Sequence, residues 1–111
     1  MTSLQSKLRN FGAGLAEVTG QSTYHFFRPQ LDPPFTIWAE DGEEGAFEAN
    51  NHKQEQLIHG TIDYFTQEEF DPVVDEIQDY LNAIDGCGWI LISVQYEEGT
   101  NTQHYEWGWT L

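Results

Sequence analysis

The fold is decided by the stretch DPVVDEIQDYLNAIDG, residues 71–86. Asp71 can accept hydrogen bonds from the amides of a first helical turn, and Pro72 is favoured at the first helical position. Gly86 is suited to ending the helix in a left-handed turn. Apolar residues recur at helical spacing and form one stripe: Phe70, Val74, Ile77, Leu81 and Ile84. The stretch therefore predicts an amphipathic helix that buries this stripe.

Beyond this helix the sequence predicts a C-terminal antiparallel hairpin. Trp89–Tyr96 is apolar enough for a central strand, and Glu97–Asn101 has the composition of a turn. The last segment alternates, with large apolar residues on one face: Tyr105, Trp107, Trp109 and Leu111. Two such segments joined by a short turn that contains glycine are typical of a hairpin.

Upstream of the helix, Gln56–Phe65 alternates and predicts a strand, in which Gly60 would permit a bulge or a close approach. Phe35–Ala39 predicts another strand, and Thr23–Phe27 is rich in β-forming residues. Glu40–Asn51 is acidic and polar, which indicates an exposed loop, with residues 46–48 as a candidate short strand.

The N-terminal segment predicts a second amphipathic helix. Ser3 is a candidate N-cap, and Gly20 can end the helix. Gly12 and Gly14 each weaken an isolated helix by roughly 1 kcal/mol relative to alanine, so this helix needs tertiary support. Its apolar stripe consists of Leu4, Leu8, Phe11, Leu15 and Val18. The order helix, strands, helix, hairpin indicates a single α+β domain over residues 1–111, with one antiparallel or mixed sheet of four to five strands packed by the N-terminal and central helices.

Charge is distributed very unevenly along the chain. Nineteen carboxylates and four bases give a formal net charge of −15, and residues 54–111 contain no Lys or Arg. Such a field repels the phosphate backbone and anionic membrane surfaces, so neither specific nucleic-acid binding nor membrane association is expected. Met1–Arg9 has no apolar run, so no secretory signal or membrane span is expected there.

Motifs that carry chemistry are missing from the sequence. The four histidines have no metal-ligand spacing, and Cys87 is the single cysteine, which we interpret as a buried or turn residue. No nucleophile elbow, phosphate loop or dinucleotide fingerprint is present. Asp71, Asp75 and Asp79 recur at four-residue steps and fit either an acidic recognition face or a solvated helix side. We expect no catalysis, no metal and no cofactor.

Large rings on the last strand suggest an interface with another subunit. One face can pack under a helix, or the strand can form an edge that pairs with a neighbouring subunit. The candidate interface residues on this strand are Tyr105, Trp107 and Trp109.

The second part of the chain, roughly residues 38 to 111, resembles a known family. The carrying segments are Glu40–Gly42, Ile58–Phe65, Phe70–Gln78, Val94–Glu98 and His104–Trp107. In these segments the chain is similar to the tail-completion proteins of long-tailed bacteriophages and prophages, the tail-terminator and head–tail joining group.

The resemblance implies a structural α+β subunit without an active site. It implies a homo-oligomer, a six-fold ring that caps the tail tube, contacts tail-tube and neck proteins and lets DNA pass without specific binding. It also makes the segment Glu40–Asn51 a candidate contact with adjacent ring proteins, with these candidate interface residues: Glu40, Asp41, Glu43, Glu44 and Phe47. Such a protein is made in the bacterial host cytoplasm and ends in the tail or neck of the virion. The alternative from the charge alone is an acidic DNA mimic that inhibits a basic nucleic-acid-binding enzyme.

Overall fold

The structure, a computed structural model, describes residues 3–20, 22–45 and 55–111. Within these ranges the chain forms two helices and one five-stranded mixed sheet, which is an α+β fold. The elements are α1 (Leu4–Thr19), β1 (Thr23–His25), β2 (Phe35–Glu43), β3 (Ile58–Thr66), α2 (Pro72–Ala83), β4 (Gly88–Glu97) and β5 (Thr102–Thr110). No helix in the described ranges is long and apolar enough to span a membrane.

Local sequence determines both helix starts. Ser3 caps α1, where its side chain accepts a hydrogen bond from the amide of Ser6, and α1 ends before Gly20, whose φ is 86°. Asp71 caps α2 by accepting from the amide of Val73, with Pro72 in the first turn. Both helices therefore begin where the capping residues predicted.

The sheet has the order β1-β2-β3-β5-β4. β1 runs parallel to β2, and the other three neighbouring pairs are antiparallel. The C-terminal hairpin of β4 and β5 is confirmed, but β4 lies at the edge of the sheet and β5 lies inside it. The prediction of a central strand at Trp89–Tyr96 was therefore wrong, because β5 pairs with β3 and leaves β4 with one neighbour among the described strands.

The core lies between one face of the sheet and the two helices. Phe11 of α1 contacts the rings of Trp38 and Trp109, with ring centroids 5.5 and 4.6 Å away. The buried apolar residues that form this cluster are Leu8, Phe11, Leu15, Trp38, Ile58, Ile62, Tyr64, Ile77, Leu81, Trp107 and Trp109. Apolar stripes on α1 and α2 meet the alternating faces of β3 and β5, as the sequence pattern predicted.

Two further sequence predictions differ from the structure. Phe70 does not belong to the buried stripe: it is 88% exposed, and its φ of 58° turns the chain into α2. The predicted loop from Glu40 begins later, because β2 continues to Glu43 by pairing with Ile58–Gly60 of β3. The predicted short strand at 46–48 lies outside the described residues.

Candidate assembly surface

The edge strand β4 is the most unusual surface of this fold. It pairs with β5 from Gly88 to Glu97, so the hydrogen-bonding groups on its other side face away from the described sheet. Large apolar side chains are exposed along it: Ile90, Leu91, Ile92, Val94 and Tyr96. Ile90 is 66% exposed and Tyr96 56%. A run of this kind on a sheet edge is typical of an interaction site.

A β-bulge turns β4 so that apolar side chains emerge on both faces. Trp89 lies opposite Trp109 on the helix side, whereas Ile90 lies opposite Gly108 on the open side. The register shifts between Leu91 and Ser93, and the extra residue, Ile92, also projects over Gly108. A Cβ atom on Gly108 would lie 3.1 Å from Cδ1 of Ile92, so the absence of a side chain there makes room for both isoleucines.

The first nine residues of β4 are uncharged in an acidic chain. Residues 88–96 contain no Asp, Glu, Lys, Arg or His, whereas Asp85 precedes the strand, Glu97 is its last residue and Glu98 follows it. Natural edge strands are usually protected by charged side chains or by very short length. At ten residues, β4 is long for an edge, and along residues 88–96 it lacks charge protection.

The opposite edge of the sheet, β1, is short, and exposed apolar rings lie just beyond its end. β1 contains three residues and is followed by Phe26 and Phe27, both more than half exposed. The ring of His25 stacks on Trp38 with centroids 3.9 Å apart, and its Nε2 lies 2.6 Å from Oε1 of Glu40. These contacts hold β1 on the sheet and leave the two phenylalanine rings outward.

The described acidic interface candidates lie in the last part of β2 or just after it, and three of them contact histidine side chains. Glu40 is paired with His25, and Asp41 is hydrogen-bonded to Nδ1 of His59. Oε1 of Glu44 lies 3.9 Å from Nε2 of His59. Glu43 is the last residue of β2, and Phe47 lies outside the described residues. The structure thus gathers Glu40, Asp41 and Glu44 around two imidazole rings.

The aromatic candidates on β5 divide between core and surface. Trp107 and Trp109 are 0% and 2% exposed, so their rings are core side chains and not surface residues. Nε1 of Trp107 donates to Oε1 of Gln78 on α2 at 3.1 Å. Tyr105 is half-buried, and its hydroxyl donates to Oε1 of Gln103 at 3.0 Å. Because β5 is an inner strand, it offers no free edge to another subunit, and Tyr105 is the candidate among these three whose ring reaches the surface.

The open face of the sheet carries a stack of rings below a basic residue. Phe65 lies between Phe35 and His104, with centroids 4.6 and 4.1 Å away, and the Arg28 guanidinium lies 4.8 Å from the Phe65 ring centroid. Nε2 of His104 is 2.7 Å from Oδ1 of Asp63. These contacts fill the end of the open face that is farther from Ile90.

A groove of about 450 Å³ runs between α1 and the end of α2. Nζ of Lys7 crosses it and donates to the carbonyl oxygens of Gln56 and Leu111 at 2.7 and 3.3 Å. The Tyr80 hydroxyl donates to the carbonyl oxygen of Phe11, and burial, with smaller contributions from the charges of Cys87 and Glu17, raises the pKa of Tyr80 to about 12. These hydrogen bonds connect α1 to α2, to the segment before β3 and to the last residue of the chain.

Reactive groups are few in the part of the chain that the structure describes. Burial raises the pKa of the Cys87 thiol, which favours its protonated form. No group of three or more His, Cys, Asp and Glu side chains in the described residues is placed to hold a metal ion. Asp75 and Asp79 are exposed on α2.

Sequence reasoning missed the apolar residues of β4 as interface candidates. The signal was present, since Ile90, Leu91 and Ile92 are consecutive and do not alternate with polar residues. That run predicts a central strand. Distinguishing a buried strand from an exposed edge requires the strand order, which local periodicity does not contain.

No protein-family model matches the chain, and no curated protein matches it. In its fold the chain is similar to a chain in the solved structure of the virion of a native gene transfer agent (GTA) particle. The TM-score is 0.55, the alignment covers 97% of this chain and 92% of that chain, and the sequence identity is 14%. The two chains therefore share a fold over almost their whole lengths.

Proposed function

We propose that this chain is a non-catalytic structural subunit of a phage-like virion. In this proposal it is a tail terminator or head–tail joining protein that caps the tail tube as a homo-oligomeric ring. The observation that carries the proposal is the long, apolar edge strand β4, uncharged along residues 88–96, which leaves the described part of the fold with an unfilled pairing site. Similarity of fold to a chain of a gene transfer agent virion supports a place for this chain in a virion.

The acidic surface suits a ring through which DNA passes. Carboxylates repel the phosphate backbone, so a channel lined by them lets a duplex slide without adhering. With nineteen carboxylates and four bases, the chain has the excess of negative charge that such a lining needs. The same charge keeps free subunits apart until salt or a neighbouring protein screens it. In the virion, tail-tube and neck proteins would be those neighbours.

The proposal is tested by measuring the solution mass with light scattering across protein concentration and ionic strength. We expect the mass to rise from one chain of 12.8 kDa towards six chains as NaCl increases from about 0.05 M to about 0.5 M, because the Debye length falls. Negative-stain electron microscopy of the assembled fraction should show rings.

A mass that stays at one chain under every condition, with no rings on the grid, would contradict assembly in solution. Tight binding of that monomer to a basic nuclease, with loss of nuclease activity, would instead support the DNA-mimic alternative. A shift to two chains only, independent of salt, would also contradict the ring.

A further inference from the structure

The proposed ring requires two different surfaces on each subunit. A closed cyclic assembly is heterologous, so a patch on one copy contacts a second, complementary patch on the next copy. A self-complementary patch would close a pair of subunits and stop there. The sheet provides two such patches, because its two edges, β4 and β1, differ in length and in side chains.

Strand directions make the two edges compatible. β1 is parallel to β2, and each of the next three neighbours in the sheet reverses direction, so β4 runs opposite to β1. If the next copy is related by a rotation about an axis along the strands, its β1 lies antiparallel to β4. Antiparallel pairing is the more stable arrangement, and the rotation keeps the helices of all copies on one side.

Exposed apolar side chains lie along β4 and just beyond the end of β1. β4 presents Ile90, Ile92 and Val94, and the chain beyond β1 presents the exposed rings of Phe26 and Phe27. Aromatic and β-branched residues facing each other across neighbouring strands stabilise a sheet by about 0.2–1 kcal/mol per pair. β1 pairs only with β2 among the described strands, so its outer backbone edge is available to a neighbouring strand.

Charge selects a second copy as the partner. A basic protein would be drawn to the carboxylates elsewhere on the surface, whereas residues 88–96 offer it none. Residues 22–27 likewise contain no Asp, Glu, Lys or Arg. Two copies that each carry −15 therefore meet with least repulsion where both surfaces are uncharged.

We propose that β4 of one copy pairs antiparallel with residues 22–25 of the next copy, so that the sheets join head to tail around the ring. This inference rests on the proposed ring and identifies the surfaces that close it. Phe26 and Phe27 of one copy then cover the apolar side chains of β4 on its neighbour.

Replacing an edge residue with lysine tests the role of β4. Ile92→Lys places an unpaired charge at the joint, and we expect at least about a tenfold rise in the dissociation constant of the assembly. Phe70→Lys makes the same change of charge at another exposed apolar residue, away from both edges, and should assemble like the parent chain. Thermal unfolding of both variants confirms that each is folded.

Engineered disulfides test the pairing itself, in a Cys87→Ser background. Tyr24→Cys is combined in turn with Ile90→Cys, Ile92→Cys and Ser93→Cys, positions on the open face of the two edges. We expect at least one combination to give a covalent ladder that reaches the full ring on oxidation. Each single cysteine variant should give none.

The outcomes separate this inference from the proposed function. Rings that persist in Ile92→Lys, with no ladder from any combination, would overturn the edge pairing and leave the ring proposal intact. Covalent dimers from a single β4 cysteine would show that β4 pairs with β4 and would overturn the head-to-tail arrangement. If the parent chain forms no rings and no combination gives a ladder, both proposals fail.

Discussion

Asp71 connects the end of β3 to the start of α2. Its Oδ2 accepts hydrogen bonds from the hydroxyls of Tyr64 and Thr66 at 2.6 and 2.7 Å, and its Oδ1 accepts from the amide of Val73 at 2.9 Å. Burial by itself raises the pKa of Asp71, but these three hydrogen bonds outweigh it and hold the pKa below its usual value. One carboxylate therefore both caps a helix and satisfies two strand hydroxyls.

Replacing Asp71 with alanine should destabilise the fold strongly. Asp71→Ala removes the cap and leaves the Tyr64 and Thr66 hydroxyls buried without this partner, so we expect a loss of about 2–4 kcal/mol in unfolding free energy. Asp71→Asn keeps a capping oxygen and should lose about half as much. Urea unfolding measures both, and a loss below about 1 kcal/mol in Asp71→Ala would contradict this role.

The contribution of Asp71 should depend on pH in a defined direction. Because its pKa is lower in the folded than in the unfolded chain, its ionised form stabilises the fold above the unfolded pKa of about 4. That stabilisation is lost as pH falls through the lower, folded value. The difference in unfolding free energy between the parent and Asp71→Asn should therefore be constant from neutral pH to about 4 and shrink below it. A difference that grows on acidification would contradict the assignment.

At the scale of single elements, glycines set how closely strands and helices approach. A Cβ atom on Gly60 of β3 would lie 2.2 Å from the carbonyl oxygen of Ala39 and 2.4 Å from Cζ2 of Trp109. Gly12 and Gly14 weaken α1 as an isolated helix, but their lack of a side chain leaves the space that the rings of Trp38 and Tyr80 occupy. The tertiary support that α1 requires thus comes from aromatic rings seated against its glycines.

Adding one methyl group to β3 should disrupt its pairing with β2. The added methyl group in Gly60→Ala would clash with the backbone of Ala39 and the ring of Trp109. We therefore expect unfolding free energy to fall by at least about 2 kcal/mol, at the upper end of overpacking effects. Gly88→Ala, the same substitution in β4, meets no atom within 4 Å and should change stability by less than about 0.5 kcal/mol. Chemical denaturation of the pair gives the comparison, and equal losses would contradict a local clash.

Most elements were predictable from the sequence, whereas their order in the sheet was not. The caps at Ser3 and Asp71 and the alternation of β3 and β5 are local signals, and both helices and these strands lie where those signals predicted. Phe70 has the right spacing for the apolar stripe of α2, but it precedes the cap, where the chain has not yet turned onto the core. The apolar run in β4 was assigned to the interior because composition does not reveal how many neighbours a strand has.

At the scale of the whole molecule, net charge opposes compactness as well as assembly. Screening by salt should stabilise even the isolated subunit. We expect its unfolding free energy to rise by about 1 kcal/mol, and its Tm by roughly 4 °C, when NaCl increases from about 0.05 M to about 0.5 M. Ile92→Lys is the suitable chain for this measurement, since it separates folding from assembly. The double substitution Glu97→Gln and Glu98→Gln in the Ile92→Lys chain should reduce the salt-induced increase in unfolding free energy. An unchanged increase would show that the repulsion arises at other residues.

The burial of Trp38, Trp107 and Trp109 in one cluster has a spectroscopic consequence. Their indole emission should report the docking of the helices on the sheet and change little when sheet edges join. Trp89 differs, because it lies on β4, where its Nε1 donates to Oδ1 of Asn82. The tryptophan emission of a Trp89→Phe chain would therefore come only from the buried cluster, and subtracting its spectrum from that of the parent would isolate the single indole beside the proposed joint.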